Sequence, residues 1–131
     1  MPEVLAQPED ASFVERFAHR VATRDLPPPR PTYGPDQAGV EACLAAALPA
    51  LFPSLDPRRA RTFAQVFYAL MAAPRLNLKD LAAATGKARL SLYKALPLLK
   101  ATGLVGSERA GGQHHYFLTR PGEDWVLATT R

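Results

Sequence analysis

A chain of 131 residues, 47% of them apolar, is sized for one small domain with an appended arm. No apolar run approaches the ~20 residues of a membrane-spanning helix, and the N-terminus carries Glu3, Glu9 and Asp10 where a secretory signal would be basic and then apolar, so a cytoplasmic protein with no membrane partner is expected. The net charge is +4, and a single cysteine, Cys43, excludes an internal disulfide and fits a reducing compartment.

The charge is unevenly placed. Residues 1–56 hold four arginines against eight carboxylates, a balance of −4. Residues 57–109 hold ten lysines and arginines against Asp80 and Glu108, a balance of +8, and residues 110–131 are neutral overall. A basic block inside an otherwise acidic chain is the footprint of a phosphate-facing surface. The plainer reading is a solvated helix face that happens to be basic, and charge alone does not separate the two.

In chain order, residues 1–10 lack periodicity and are expected to fray. Ser12 followed by Glu15 has the pattern of a capping box. Phe13, Phe17 and Val21, with Val14 and Ala18, form an apolar stripe at helical spacing, so a helix is expected over 12–24. The prolines from Leu26 to Pro31 lack amide donors and predict an extended spacer. Proline runs also serve as docking ligands, but a connector accounts for this one without a partner. Asp36 can cap a second helix carrying Val40, Cys43, Leu44, Ala47, Leu48 and Leu51, bent or ended by Pro49. Cys43 reads as a small core residue there, because no basic cluster lies near it in sequence to lower its pKa.

Asp56 followed by Pro57 is a strong helix start. Phe63, Val66, Phe67, Leu70 and Met71 follow at the spacing of an inward face, and the helix should end before Pro74. Arg58, Arg59 and Arg61 occupy its first turns, where they oppose the helix dipole. Phosphate contact is one reason for placing them there. Leu76 and Asn77 supply a brief strand. Asn77 with Asp80 opens a short helix to about Thr85, Gly86 makes a turn, and a further helix runs over 88–101 with Leu92, Ala95, Leu96 and Leu99 inward. Gly103 ends it in the left-handed conformation. Val105–Arg109 and Gln113–Leu118 read as a hairpin around Ala110-Gly111-Gly112. Thr119 starts a last helix with Trp125, a residue for core or dimer packing.

This order of helix, helix, turn, helix and hairpin resembles the winged helix-turn-helix regulators of the ArsR, MarR and PadR kinds, over residues 57–128. Leu81 to Gly86 resembles their supporting helix and turn, Arg89 to Lys100 their recognition helix, and Thr102 to Val105 the exit into the wing. His115 to Thr119 with Gly122 resembles the end of a wing running into a terminal helix. The resemblance implies a mainly α fold with a small β-hairpin wing (α+β), a winged helix-turn-helix preceded by extra N-terminal helices. It also implies DNA binding. There are departures. Ala88 stands where a Ser or Thr cap is common, Pro97 interrupts the recognition helix, and the metal-binding cysteines of ArsR-type sensors are absent.

A recognition helix enters the major groove N-terminus first, so its first two turns reach base edges. Here those turns hold Lys87, Arg89, Leu90, Ser91, Tyr93 and Lys94. Arg89 is placed for bidentate contact with guanine. Ser91 and Tyr93 can meet phosphate or base, while Lys87, Lys94 and Lys100 suit phosphates, as do Arg58 and Arg59. Arg109 borders the hairpin tip, where an arginine can enter the minor groove, and Gln113 and His114 lie across the turn. His114 and His115, adjacent on a strand, point to opposite faces and cannot share one ion. No metal, cofactor or catalytic motif is expected.

Residues 1–31 are therefore expected to form a helical arm and proline-rich linker, and 32–131 the winged helix-turn-helix with an additional leading helix. The expected function is sequence-specific binding of double-stranded DNA by a transcriptional regulator, as a homodimer, since one recognition helix reads few base pairs. The alternative is a winged-helix module that docks on a protein partner such as RNA polymerase, a replication protein or another regulator.

Overall fold

A computed structural model describes residues 8–24 and 32–131, which fall in two compact units dividing between Thr32 and Tyr33. The spacer expected over 26–31 lies outside the described residues. In the first unit, α1 spans Pro8–Thr23. The sequence reading started this helix at Ser12; it begins instead at Pro8. Proline suits the first helical position, because its missing N–H has no intrahelical acceptor there and its φ is already helical. Ser12 and Glu15 thus lie inside the helix rather than capping it. Phe13, Val14, Phe17 and Val21 are all exposed.

The second unit opens with α2, Gln37–Ala47, whose first turn is capped as expected: the Asp36 carboxylate accepts the Gly39 N–H at 3.1 Å. Pro49 sits in a 3-10 turn, Leu48–Ala50, that follows directly. Leu44 and Leu48 are buried, but Leu51, expected on the same inward face, is exposed. The tighter turn changes the angular step per residue and carries Leu51 off the stripe. Cys43 is half-buried and its thiol donates to the Thr129 carbonyl at 3.2 Å.

Helix α3, Pro57–Ala72, is the centre of the unit. Asp56 caps it by accepting the Arg59 N–H at 2.8 Å. Phe63, Val66, Phe67 and Leu70 are buried on one side and Ala60, Ala64 and Ala69 pack around them. Met71 continues the predicted stripe in sequence but is exposed, lining a surface groove with Pro74 and Leu127. Phe63 meets Phe52 edge-on with centroids 5.2 Å apart, and Phe67 packs on Trp125 at 5.1 Å. Such pairs add to area burial.

Strand β1, Leu76–Asn77, leads straight into α4, Leu78–Thr85. Asn77 caps α4 through the Asp80 N–H at 2.8 Å. Gly86 closes α4 at φ 70°, and α5 follows over Arg89–Ala101. Strands β2, Val105–Ala110, and β3, Gln113–Leu118, pair antiparallel in register from Val105–Leu118 to Ala110–Gln113. The turn is Gly111-Gly112, both at positive φ, the geometry that matches the strands' right-handed twist. β1 pairs with the outer side of β3, giving a sheet of order β1-β3-β2. Helix α6, Arg120–Thr130, is capped by Thr119. Its Val126 is buried and its Trp125 is part of the packing round Phe67. The architecture is a winged helix-turn-helix preceded by extra helices, mainly α with a small β-hairpin wing. Among the described residues, no helix is long and apolar enough to cross a membrane.

Candidate nucleic-acid interface

The α5 helix divides cleanly. Leu92, Ala95, Leu96 and Leu99 are buried, and every other residue from Arg89 to Ala101 is exposed. Four of the predicted contact residues of α5, Arg89, Ser91, Tyr93 and Lys94, are therefore exposed, with Lys94 on the outermost side and Arg89 and Ser91 on opposite flanks of the helix. Ala88, the residue before the helix, makes no side-chain cap. The first-turn amides of α5 thus stay open, and the positive end of the helix dipole adds to the charge of Arg89. Lys87 is half-buried in the turn, its N–H donating to the Thr85 hydroxyl at 3.3 Å. Lys100 is exposed in the last turn, about 16 Å along the axis from Arg89, where a cation also suits the negative end of the dipole. Pro97 lies inside the helix without ending it, although it can give no hydrogen bond to the Tyr93 carbonyl.

The fold brings two distant parts of the sequence together. Arg58, Arg59 and Thr62 of α3 line one shallow cleft with Ser91 and Lys94 of α5, floored by Phe63 and Ala95. The Arg59 guanidinium lies over the Phe63 ring at 5.9 Å. Among the described residues, no carboxylate forms an ion pair with Arg58, Arg59 or Lys94. Like charges gathered on one cleft without a counter-ion repel one another, and an anion placed among them relieves that repulsion. Arg61 points elsewhere, lining a groove with Ala42, Ala45 and Ala46 of α2.

The wing is tied to the strand before α4 by side chains as well as backbone. Arg75 grips Glu108 with two hydrogen bonds of 2.6 and 3.1 Å, and its guanidinium also lies 5.2 Å from the Phe117 ring centroid. The Arg75 hydrogen bond and charge hold the Glu108 carboxyl below its ordinary value, and the same pair raises Arg75. This arginine of the basic block is thus matched by a carboxylate. Asn77 donates through Nδ2 to the Gln113 side-chain oxygen at 3.1 Å, so that oxygen of a predicted contact residue is already engaged. Arg109 is exposed opposite His114 near the tip, and His114 stacks obliquely toward Tyr116 at 6.4 Å. Burial raises the Tyr116 phenol, with Tyr93 of α5 adding to the shift. Among the described residues, no group of three or more His, Cys, Asp or Glu side chains is arranged to hold a metal ion.

Sequence reasoning named most of these side chains but missed their grouping. The α3–α5 cleft joins residues about 30 apart in the chain, and the packing of α3 against α5 brings them together. Leu90, exposed in the first turn of α5, carried a readable signal: it falls outside the inward set of that helix.

No family model matches this sequence, and neither does any curated protein. Among solved structures, the chain is similar to BpsR of Bordetella bronchiseptica, a protein whose DNA binding is regulated by 6-hydroxynicotinic acid. The TM-score is 0.51 at 16% identity, over 98% of this chain and 75% of that one. At that identity the likeness is one of fold.

Proposed function

We propose that this chain is a transcriptional regulator that binds double-stranded DNA sequence-specifically. In this reading α5 enters the major groove and the β2–β3 wing lies on the backbone or in the minor groove. The observation that carries it is the unpaired cationic cleft of Arg58, Arg59 and Lys94, the last on the same helix as the exposed Arg89, Ser91 and Tyr93. A protein of like fold, BpsR, is a DNA-binding protein. The roles divide by position: Arg89 and Tyr93 toward bases; Lys87, Lys94, Lys100, Arg58 and Arg59 toward phosphates; Arg109 and Gln113 at the wing.

Each neutralised phosphate releases counter-ions, so log affinity falls by about 0.9 per contact per log unit of salt on B-DNA. With four contacts per protomer, raising salt from 50 to 200 mM should weaken duplex binding on the order of 100-fold for each protomer engaged, and so about ten-thousandfold for a dimer. Titration of a labelled duplex by fluorescence anisotropy checks this, and a flat affinity over that range removes the reading.

The regulator acts as a homodimer, with residues 1–31 as an assembly arm and 32–131 as the reading body. The exposed Phe13, Val14, Phe17 and Val21 of α1 support this, because an apolar stripe of that kind is stabilised by a covering surface. Deleting residues 1–31 should leave the thermal unfolding of the body intact and weaken self-association. The same number of protomers per particle by light scattering would show that assembly lies elsewhere.

A further inference from the structure

Leu90 stands at an unexpected place for an apolar side chain. It is 66% exposed, and Tyr93, one turn on, is 68% exposed. Successive helical residues are about 100° apart around the axis. The buried residues Leu92, Ala95, Leu96 and Leu99 define one side of α5. On that spacing Leu90 lies almost directly opposite them, at the centre of the outward face, with Lys94 one turn behind it. Arg89 falls to the flank, nearer the core side. The residue that α5 pushes farthest from the protein in its first turn is therefore a leucine, not an arginine.

Cations surround it. Arg89 precedes it, Lys94 follows it, and the Arg58–Arg59 side of the cleft borders Lys94. That charge pattern selects a polyanionic partner, and the leucine at its centre must then meet an apolar group on that partner. On the major-groove edges of duplex DNA the apolar group is the C5 methyl of thymine; the other edges there present donors and acceptors. Leu90 has no polar atom to satisfy them. Resting on the DNA-binding reading above, we infer that Leu90 reads thymine methyl groups and that each half-site contains at least one thymine under it, next to the base approached by Arg89.

The test uses the full-length chain. Its preferred duplex is selected from a random library, and each thymidine is then replaced by deoxyuridine. That change removes only the methyl and leaves base pairing intact. The wild-type protein should lose about fourfold in affinity for each contacted methyl, the ratio expected for one buried methyl group. Leu90→Ala should bind the thymidine duplex more weakly, keep the wild-type salt slope, and be indifferent to the deoxyuridine change. Because Leu90 is exposed, the variant should keep the wild-type thermal midpoint, which separates lost reading from lost folding. Salt-dependent, sequence-selective binding by wild type with no response to deoxyuridine overturns the thymine inference and leaves the DNA-binding reading standing. A Leu90→Ala protein that still senses the methyl overturns it equally. Failure of the wild type to retain any duplex overturns both, and assigns the exposed Leu90 and Tyr93 to a polypeptide surface.

Discussion

Gly122→Ala should destabilise the second unit by about 3 kcal/mol or more, at the upper end of what overpacking costs. The reason is space rather than backbone conformation. A Cβ at position 122 would lie 2.0 Å from the Leu104 carbonyl oxygen and 2.9 Å from its carbon. Both are backbone atoms, so no side-chain rotation relieves the clash. The Leu104 carbonyl is also the acceptor for the Thr119 N–H at 3.0 Å, and the Thr119 hydroxyl accepts the Gly122 N–H at 3.1 Å while donating to the Gly103 carbonyl. Moving any one of these groups disturbs the others. The first turn of α6 must lift, taking Val126 and the Trp125 contact with Phe67 with it. For a unit of this size, a loss of 3 kcal/mol lowers the unfolding midpoint by roughly 12–24 °C. Thermal unfolding followed by far-ultraviolet circular dichroism and by Trp125 fluorescence reads it directly. Gly111→Ala is the instructive contrast. A Cβ there meets nothing within 4 Å, but the φ of 59° is left-handed, so the cost should be only about 1–2 kcal/mol. A Gly122→Ala protein that melts within a few degrees of wild type would show that the α5–β2 loop yields more easily than its hydrogen bonds suggest.

Arg89→Ala should cost about 1–3 kcal/mol against the preferred duplex, or roughly five- to 150-fold, and much less against unrelated sequence. Arg89 is the first residue of α5 and is exposed, with no capping side chain between it and an approaching groove. A planar guanidinium there can pair with guanine O6 and N7 together. Lys94→Ala and Arg109→Ala should instead lower specific and non-specific affinity together and flatten the salt dependence, by about 0.9 in slope per lost phosphate contact. Lys94 belongs to the cleft with Arg58 and Arg59, and Arg109 borders the wing tip. Parallel titrations against the selected duplex and a scrambled one distinguish the two patterns. Equal binding of the selected duplex by Arg89→Ala and wild type would mean that α5 does not read base edges through this arginine.

Much of the fold was legible because its punctuation is local. Asp36, Asp56, Asn77 and Thr119 each start a helix, and each does so through a side chain that accepts an N–H three residues on. Gly103 and the Gly111-Gly112 pair sit at positive φ where the pattern asked for it. The errors came where one local signal was followed alone. At the start of α1 the Ser12–Glu15 pattern marks a capping box, yet the helix begins a turn earlier, at Pro8. Leu51 matched an apolar period but follows a tighter 3-10 turn, and Met71 matched one but faces a surface groove, so periodicity alone misplaced them. The site was legible as a set of residue types and much less as an arrangement. The Arg75–Glu108 and Asn77–Gln113 contacts join residues more than thirty positions apart. Nothing local marks either pair, and together they change which polar groups of the wing are free. The cleft of Arg58, Arg59, Ser91 and Lys94 likewise exists only after α3 and α5 pack.

Those ties across β1, β3 and β2 have a thermodynamic consequence. A hairpin six residues long on each side, standing alone, would sample many twists. Here one edge is paired to β1, its outer strand is held through Glu108 by Arg75, and its first β3 residue is held by Asn77, which also caps α4. The wing and the supporting helix therefore share a residue. Most of the ordering entropy of this surface is incurred when the chain folds, leaving only the two-glycine tip and the exposed side chains to be ordered on contact. Association of such a surface resembles the meeting of two finished shapes more than the folding of one upon the other.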